Sequence, residues 1–491
     1  MAWFRGKKKH RSEDRVGEAR ITVIMICALL VIFILGFIFI RFPLRQVTYD
    51  TNLVPQTPTT TPIVAIVIAT TSVPVAPFVV THISTPDAVR GVYFTNWSAG
   101  TPSFRKNMLS LLSSTTLNSV VIDVKDYSGR IGFNLDENGT SSSLQKIVNM
   151  GSVQDRIPDI KEFIGKLHKM GIYVIGRVAV FQDPYAVKVR PEWAVIDKRT
   201  GKPWKDSGGA YWLDPNNKEV WNYISTIGHG AYNIGFDEIN FDYIRFPSDG
   251  AVSNAVYSSS TIYYKTVTTT KNASTTKIAS TTKSMATTSA VVVRPRIMNK
   301  PAVLKSFFSY LHDQFASDGI PISADVFGQT TSDSGDMGIG QHLENALPYF
   351  DAVAPMVYPS HYIDGFIGYQ NPADHPYQIV KYAMDMAVER AKVASSSPLI
   401  FRPWLQAFDL GAIYTPDMVR LQIKAAYDAG LTSWLLWNAG SVYKREAVAT
   451  DVEKTPIVVR PVVEKLPAVK MIATTTNIVS NINIATSTKP F

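Results

Sequence analysis

The chain has 491 residues, with 49 Lys and Arg against 40 Asp and Glu and a formal charge of +9, enough length for one large domain with room left over. The basic excess is local: residues 1–20 hold seven Lys/Arg against three Asp/Glu, residues 251–300 hold seven against none, and the remainder outside the biased segments is net acidic, which argues against a core built to bind nucleic acid. The single cysteine, Cys27, excludes an intrachain disulfide and a cysteine-based zinc site.

Residues 1–20 read as a basic cytoplasmic N-terminus. Residues 21–40 carry no charge and are almost wholly apolar, a length that matches the hydrocarbon thickness of a bilayer. Arg5, Lys7, Lys8, Lys9, Arg11, Arg15 and Arg20 precede the run, whereas only Arg41 and Arg45 closely follow it. That asymmetry predicts a single-pass cell-membrane protein with a cytoplasmic N-terminus and an extracytoplasmic remainder. The run is longer than a signal-peptide core and no small-x-small site directly follows, so an uncleaved anchor is expected. Residues 41–89, with stretches such as Thr57-Pro58-Thr59-Thr60-Thr61-Pro62, read as a Thr/Pro-rich stalk, because frequent prolines interrupt helices and favour extended chain.

From Arg90 strand and helix signals alternate. Strands are predicted at 91–97, 119–126, 173–181, 235–247, 321–327, 351–358, 399–407 and 433–437. Helices are predicted at about 103–115, 156–170, 216–233, 299–318, 341–348, 375–395 and 417–429. Eight such units imply a parallel sheet, and the count fits an α/β protein with a (β/α)8 TIM barrel over 90–445. A doubly wound open sheet is the alternative, but the Gly-rich first turn is absent. Residues 250–297, Ser/Thr/Lys-rich, form a low-complexity insertion after the fourth strand; residues 446–491 form a similarly biased tail. Both lack the apolar periodicity that builds a core, and disorder is expected.

The fourth strand is the most informative stretch. Along it Ile239, Phe241 and Tyr243 share one face and Glu238, Asn240 and Asp242 the other. If helices cover the apolar face, the polar row points into the barrel, with Asp242 at the open end and Asp237 on the packing face. Polar residues recur near the ends of other strands: Asp123 and Lys125, Arg177, Asp325, Tyr358 and His361, Trp404 and Gln406, Trp437 and Asn438. Barrel enzymes draw their catalytic groups from such ends. Buried charge is costly unless paired, so a structural network of Asp123, Lys125 and Arg177 is an alternative for those three. Two carboxylates, Asp242 and Asp325, with Trp and Tyr around them suit glycoside hydrolysis. The histidines lack metal-type spacing and no EF-hand loop, Gly-x-Ser-x-Gly elbow or phosphate loop occurs, so neither metal nor cofactor is expected.

Several stretches resemble one bacterial family. They are Val121–Asp126, Arg177–Pro184, Trp212-Leu213-Asp214-Pro215, Gly235–Pro247, Gly340-Gln341, Ala354–Tyr362, Trp404–Phe408 and Leu436–Ala439. Running in order through 90–445, they are similar to the "putative glycosyl hydrolase domain" family, formerly a domain of unknown function and considered a (β/α)8 relative of α-amylase-like hydrolases. The resemblance implies an Asp nucleophile ending the fourth strand, which falls on Asp242. It also implies an acid on the fifth strand, where amylase-like enzymes commonly carry Glu and this chain has Asp325. Glu238 is a substitute acid candidate.

The expected protein is a membrane-anchored, exported glycoside hydrolase acting on cell-envelope or extracellular poly- or oligosaccharide. Its catalytic residues are Asp242, Asp325 and Glu238. Asp123, Lys125, Arg177, Trp212, Asp214, Asn240, Arg245, Tyr358, His361, Trp404, Gln406, Trp437 and Asn438 are expected to hold sugar. The alternative is a non-catalytic glycan-binding or scaffold barrel of the envelope.

Overall fold

The computed structural model describes residues 79–136, 138–258 and 299–449. The expected N-terminus (1–20), anchor (21–40), stalk up to 78, insertion from 259 and tail from 450 lie outside the described residues. Among the described residues no helix is long and apolar enough to cross a membrane.

Eight strands form the barrel: β1 Arg90–Phe94, β2 Ser119–Lys125, β3 Tyr173–Ala179, β4 Glu238–Asp242, β5 Ile322–Phe327, β6 Ala352–Met356, β7 Trp404–Gln406 and β8 Trp434–Trp437. Each pairs in parallel with its sequence neighbours, and β8 closes on β1 through Arg90 opposite Trp434. Ten described helices accompany them: α1 Asn96–Gly100, α2 Pro102–Ser113, α3 Ser142–Asn149, α4 Ile160–Lys169, α5 Pro184–Val189, α6 Lys218–Asn233, α7 Lys300–Ala316, α8 Leu343–Ala346, α9 Pro376–Val393 and α10 Pro416–Asp428. The seven predicted helices and eight strands are all present.

The apolar residues separate into two cores. Outward strand residues such as Val120, Ile122, Val174, Ile239 and Phe241 pack with helix residues such as Phe163, Ile224 and Phe307 in a large outer cluster. Inward residues Tyr93, Val121, Tyr173, Ile175, Ala354, Tyr358, Trp404 and Leu435 fill the barrel. This is the two-sided burial of a parallel sheet, and it makes β2, Ser119-Val120-Val121-Ile122, read as a continuous apolar run. The turn that aims β4 depends on Gly235, whose φ of +121° is a backbone conformation that L side chains rarely adopt.

The differences from the sequence reading have local causes. Helices α1, α3 and α5 were not predicted, because five to eight residues hold too few turns for a 3.6-residue period to show. Their starts are marked by caps: Thr95, Ser141 and Asp183 accept from the backbone N–H of Ser98, Leu144 and Ala186. Strand β7 is three residues long, not nine. Pro398 opens a 3-10 turn, and Pro403, just before β7, has no N–H to give a ladder. The loop after β4 stays regular beyond 250. Ala255–Val256 pairs antiparallel with Ile196–Asp197, and Tyr257 is buried, so the domain continues to Ser258.

The N-terminal end of the barrel is closed by polar residues. Arg402 Nη1 donates to both oxygens of Glu238, at 2.8 and 3.0 Å, and Ser323 and Tyr173 hydroxyls donate to the same carboxylate at 2.6 and 3.0 Å. Behind it, Asp237 accepts from the backbone N–H of Ile83 and Val174, each at 2.8 Å, and hydrogen-bonds His168 Nε2 at 3.0 Å. Burial alone raises the Asp237 carboxyl, but these bonds and His82 hold it below its ordinary value. The described end of the expected stalk, 79–89, is therefore docked under the barrel. Because Glu238 is buried and Arg402 is its sole cation among the described residues, Arg402→Met is expected to cost about 3–5 kcal/mol by stranding the charge. Adding Glu238→Gln should recover much of that loss, both changes read by denaturant unfolding.

Candidate active site

At the C-terminal end the barrel interior is also polar, but differently arranged. The register places Asn240 beside Ser323 and Phe241 beside Ala324, so the next inward pair across β4 and β5 is Asp242 and Asp325. Asp123 lies opposite Arg177, and Arg177 opposite Asn240. Four neighbouring strands thus bring three carboxylates and one guanidinium to one layer.

Arg177 organises that layer. Its Nη1 donates to Asp123 Oδ1 at 2.6 Å, and its Nε donates to Asp242 Oδ2 at 3.1 Å with a second bond from Nη2. The guanidinium carbon lies 5.0 Å from the ring centre of Trp437, which stacks on Tyr93 at 3.9 Å. Tyr93 in turn donates to Asp123 Oδ2 at 2.6 Å. Burial pushes the Asp123 carboxyl up to about 6, opposed by Arg177 and Tyr93.

Asp325 has no cation of its own. Its Oδ1 accepts from Asn240 Nδ2 at 2.9 Å and from Trp404 Nε1 at 2.8 Å. Its Oδ2 has no hydrogen-bond partner among the described residues. Burial, with the negative charge of Asp242 beside it, raises this carboxyl well above its ordinary value despite those two donors. Both effects favour the acid form of Asp325, and Oδ2 is the oxygen left without a described partner. Tyr358 shares this environment: burial first, then Asp325 and Asp242, raise its phenol well above the usual range.

Asp242 ends its strand in an unusual backbone. Tyr243, the next residue, has φ +51°, a left-handed conformation that costs a bulky residue of order 1–3 kcal/mol. The turn lets the Tyr243 N–H donate back to Asp242 Oδ1 at 2.6 Å. The carboxylate is thus fixed from both sides.

The other predicted residues divide. Asn240 and Trp404 hold Asp325, and Trp437 and Tyr358 line the same layer. Arg245 sits at the loop after β4, with its guanidinium carbon 4.9 Å from the ring centre of Trp212. His361 is exposed and meets Tyr358 edge-on at 5.2 Å. Five predictions are corrected in role. Glu238 is spent on Arg402 at the opposite end of the barrel. Lys125 follows a register shift that sets it opposite Val178, turning it outward to Asp183 at 2.8 Å. Asp214 caps its own turn, accepting from Asn216 N–H at 2.9 Å, and also accepts from Ser258 N–H. Gln406 is fully buried and braces the rim, accepting from Ser360 N–H at 3.1 Å and donating to Phe408 and Leu410 carbonyls. Asn438 likewise donates to Ala407 O at 2.6 Å. The sequence reading missed Tyr93, although its inward phase on β1 was a usable signal. It also missed Arg402, which lies outside any periodic run. Among the described residues no group of three or more His, Asp or Glu is placed to hold a metal ion.

Comparison with known proteins adds a family. Among solved structures, a hypothetical protein from Ruminiclostridium thermocellum is 26% identical, covering 48% of this chain and 97% of that one, with a TM-score of 0.36. The PgaB (BpsB) glycoside hydrolase domain from Bordetella bronchiseptica is 14% identical over 72% of this chain and 95% of that one, TM-score 0.47. The catalytic domain of β-amylase from Paenibacillus polymyxa is 10% identical over 75% and 97%, TM-score 0.39. Curated protein sequences give no match. The model of one family, described as "putative glycosyl hydrolase domain", matches residues 91–443, the whole of the barrel. The chain belongs to that glycosyl hydrolase family.

Proposed function

We propose that the barrel hydrolyses glycosidic bonds of a cell-envelope or extracellular polysaccharide, with Asp325 as general acid and Asp242 as nucleophile. The observation that carries this is the split between two neighbouring carboxyls. One is ion-paired to Arg177; the other has no cation of its own, is raised by burial and by Asp242, and keeps Oδ2 without a described partner. Glycoside cleavage needs that division of roles. Asp325 gives its Oδ2 proton to the glycosidic oxygen as the C–O bond breaks and the leaving sugar departs. Asp242 attacks the anomeric carbon, and water then releases the glycosyl group, with Asp325 taking the water's proton. Tyr93, Tyr358, Trp404 and Trp437 supply the aromatic wall.

One observation favours a second reading, a non-catalytic glycan-binding or scaffold barrel. Asp325 is only 1% exposed and Asp242 6%, so a sugar reaches them only if the aromatic rim opens. Turnover decides between the two. Asp242→Asn is expected to lose at least about 10³-fold in kcat on any polysaccharide the native chain cleaves, with an unchanged circular dichroism spectrum. Undiminished release of reducing ends by that variant, or none by the native chain across a broad panel, would sink the hydrolase reading.

The pH profile follows from Asp325. Its carboxyl is raised, so the acid form persists through the usual carboxylate range and is lost only as pH rises through the raised value. Activity on a substrate with a poor leaving group should therefore fall on the alkaline side. Asp325→Asn should depress that activity about 10²–10⁴-fold and flatten the alkaline fall, while a substrate with a good leaving group is spared; equal loss on both substrates would remove Asp325 from the acid role.

The apolar run 21–40 supports a membrane anchor with the barrel outside the cell. Deleting residues 1–40 is expected to move the protein from the membrane to the soluble fraction. Persistence in the membrane pellet after carbonate washing would count against the anchor.

A further inference from the structure

Arg245 is the site cation that the structure leaves without a direct salt bridge among the described residues. Arg177, Arg402, Arg156 and Lys125 each meet a carboxylate at 2.6–2.8 Å. Arg245 forms no ion pair with any described residue. Its Nη1 donates to Phe246 O and Ser248 Oγ, both at 3.2 Å, and its Nε and Nη2 have no described partner. Its guanidinium carbon lies 4.6, 4.9 and 5.5 Å from the ring centres of Phe327, Trp212 and Tyr243. Phe327 ends β5 two residues past Asp325, and Tyr243 adjoins Asp242. The recess is therefore part of the same mouth.

A guanidinium held against aromatic faces is fixed in place while N–H bonds at its edge stay free for two-point contact with an oxyanion. Neutral sugar hydroxyls do not need a cation, and a half-buried cation without a direct ion pair is costly to keep. Burial lowers the Arg245 guanidinium from its ordinary value, outweighing the opposite pull of Tyr243, Asp242, Asp249 and Asp206, none of which pairs with it directly.

We infer that Arg245 forms a subsite for an oxyanion substituent of the glycan, a sugar carboxylate or a sulfate ester, and so selects an acidic polysaccharide. This deepens the hydrolase reading and rests on it for the identity of the ligand as a glycan. Glycans rich in uronic acid or sulfate are the expected class.

The test uses the full chain carrying Asp242→Asn, so that ligand is not consumed, and isothermal titration with two matched pairs of probes. One pair is oligogalacturonides against their carboxyl-reduced forms; the other is chondroitin sulfate oligosaccharides against their desulfated forms. At least one charged probe should bind about tenfold or more tightly than its neutralised or desulfated partner, and the pair that discriminates identifies carboxylate or sulfate. Adding Arg245→Gln should shrink the ratio to under about threefold, Arg245→Lys should keep part of it, and added salt should erode it. If Arg245→Gln lowers the melting temperature enough to blur the comparison, Arg245→Lys and the salt series carry the test. Equal binding within both pairs, no binding to any of the four, or a ratio unchanged by Arg245→Gln would overturn the inference. The hydrolase reading is judged separately by turnover: undiminished reducing-end release by Asp242→Asn would remove it without touching the charge discrimination.

Discussion

A buried guanidinium shared between two carboxylates is the constraint on which the mouth of this barrel depends. Arg177 is enclosed by the barrel, yet it is bonded to Asp123 on one side and Asp242 on the other. Neither acid could be kept so deep in charged form without it, since desolvation of an unpaired carboxylate costs several kcal/mol. The stacked pair Tyr93 and Trp437 fixes the guanidinium in turn. One cation cannot serve three acids equally, and Asp325, on the strand beyond Asp242, is the one left without an ion pair. The chemical asymmetry of the site thus follows from the order of the strands around the barrel.

Strand β4 and the residue before it show how one polar run serves two ends of the fold. Asp237 ties the chain under the barrel, Glu238 balances Arg402 at the floor, Asn240 orients Asp325 and Asp242 faces the mouth. The inward positions step up the barrel two residues at a time. The lower carboxylate is fully occupied by its partners, whereas in the upper layer Asp325 keeps Oδ2 without a described partner. Depth along the strand, rather than residue type, sets which partners each acid meets.

The barrel was legible because its strands are long apolar runs at regular separations from amphipathic helices. The alternation along 238–242 also separated Asp237 from Glu238 and Asp242. What sequence could not convey was the partner of each charge. Glu238 looked available because Arg402 is 164 residues away in the chain. Lys125 looked inward because its spacing from Asp123 is even, and the register shift that turns it outward has no compositional mark. Gln406 ends β7 as the acids end their strands, and Asp214 lies in the turn before α6, but the bonding capacity of both is consumed by backbone groups of the loops they hold. Polar residues that brace a rim and those that line it have the same spacing; only the count of satisfied bonds tells them apart.

The segment 79–89 enters beneath the barrel, held by Asp237, His168 and Tyr173 at the N-terminal ends of the strands. Asp242 and Asp325 stand at the other end. Residues 79–89 therefore lie at the pole opposite Asp242 and Asp325. Whatever approaches the mouth meets no part of residues 79–89, so that segment can vary without redrawing the opening.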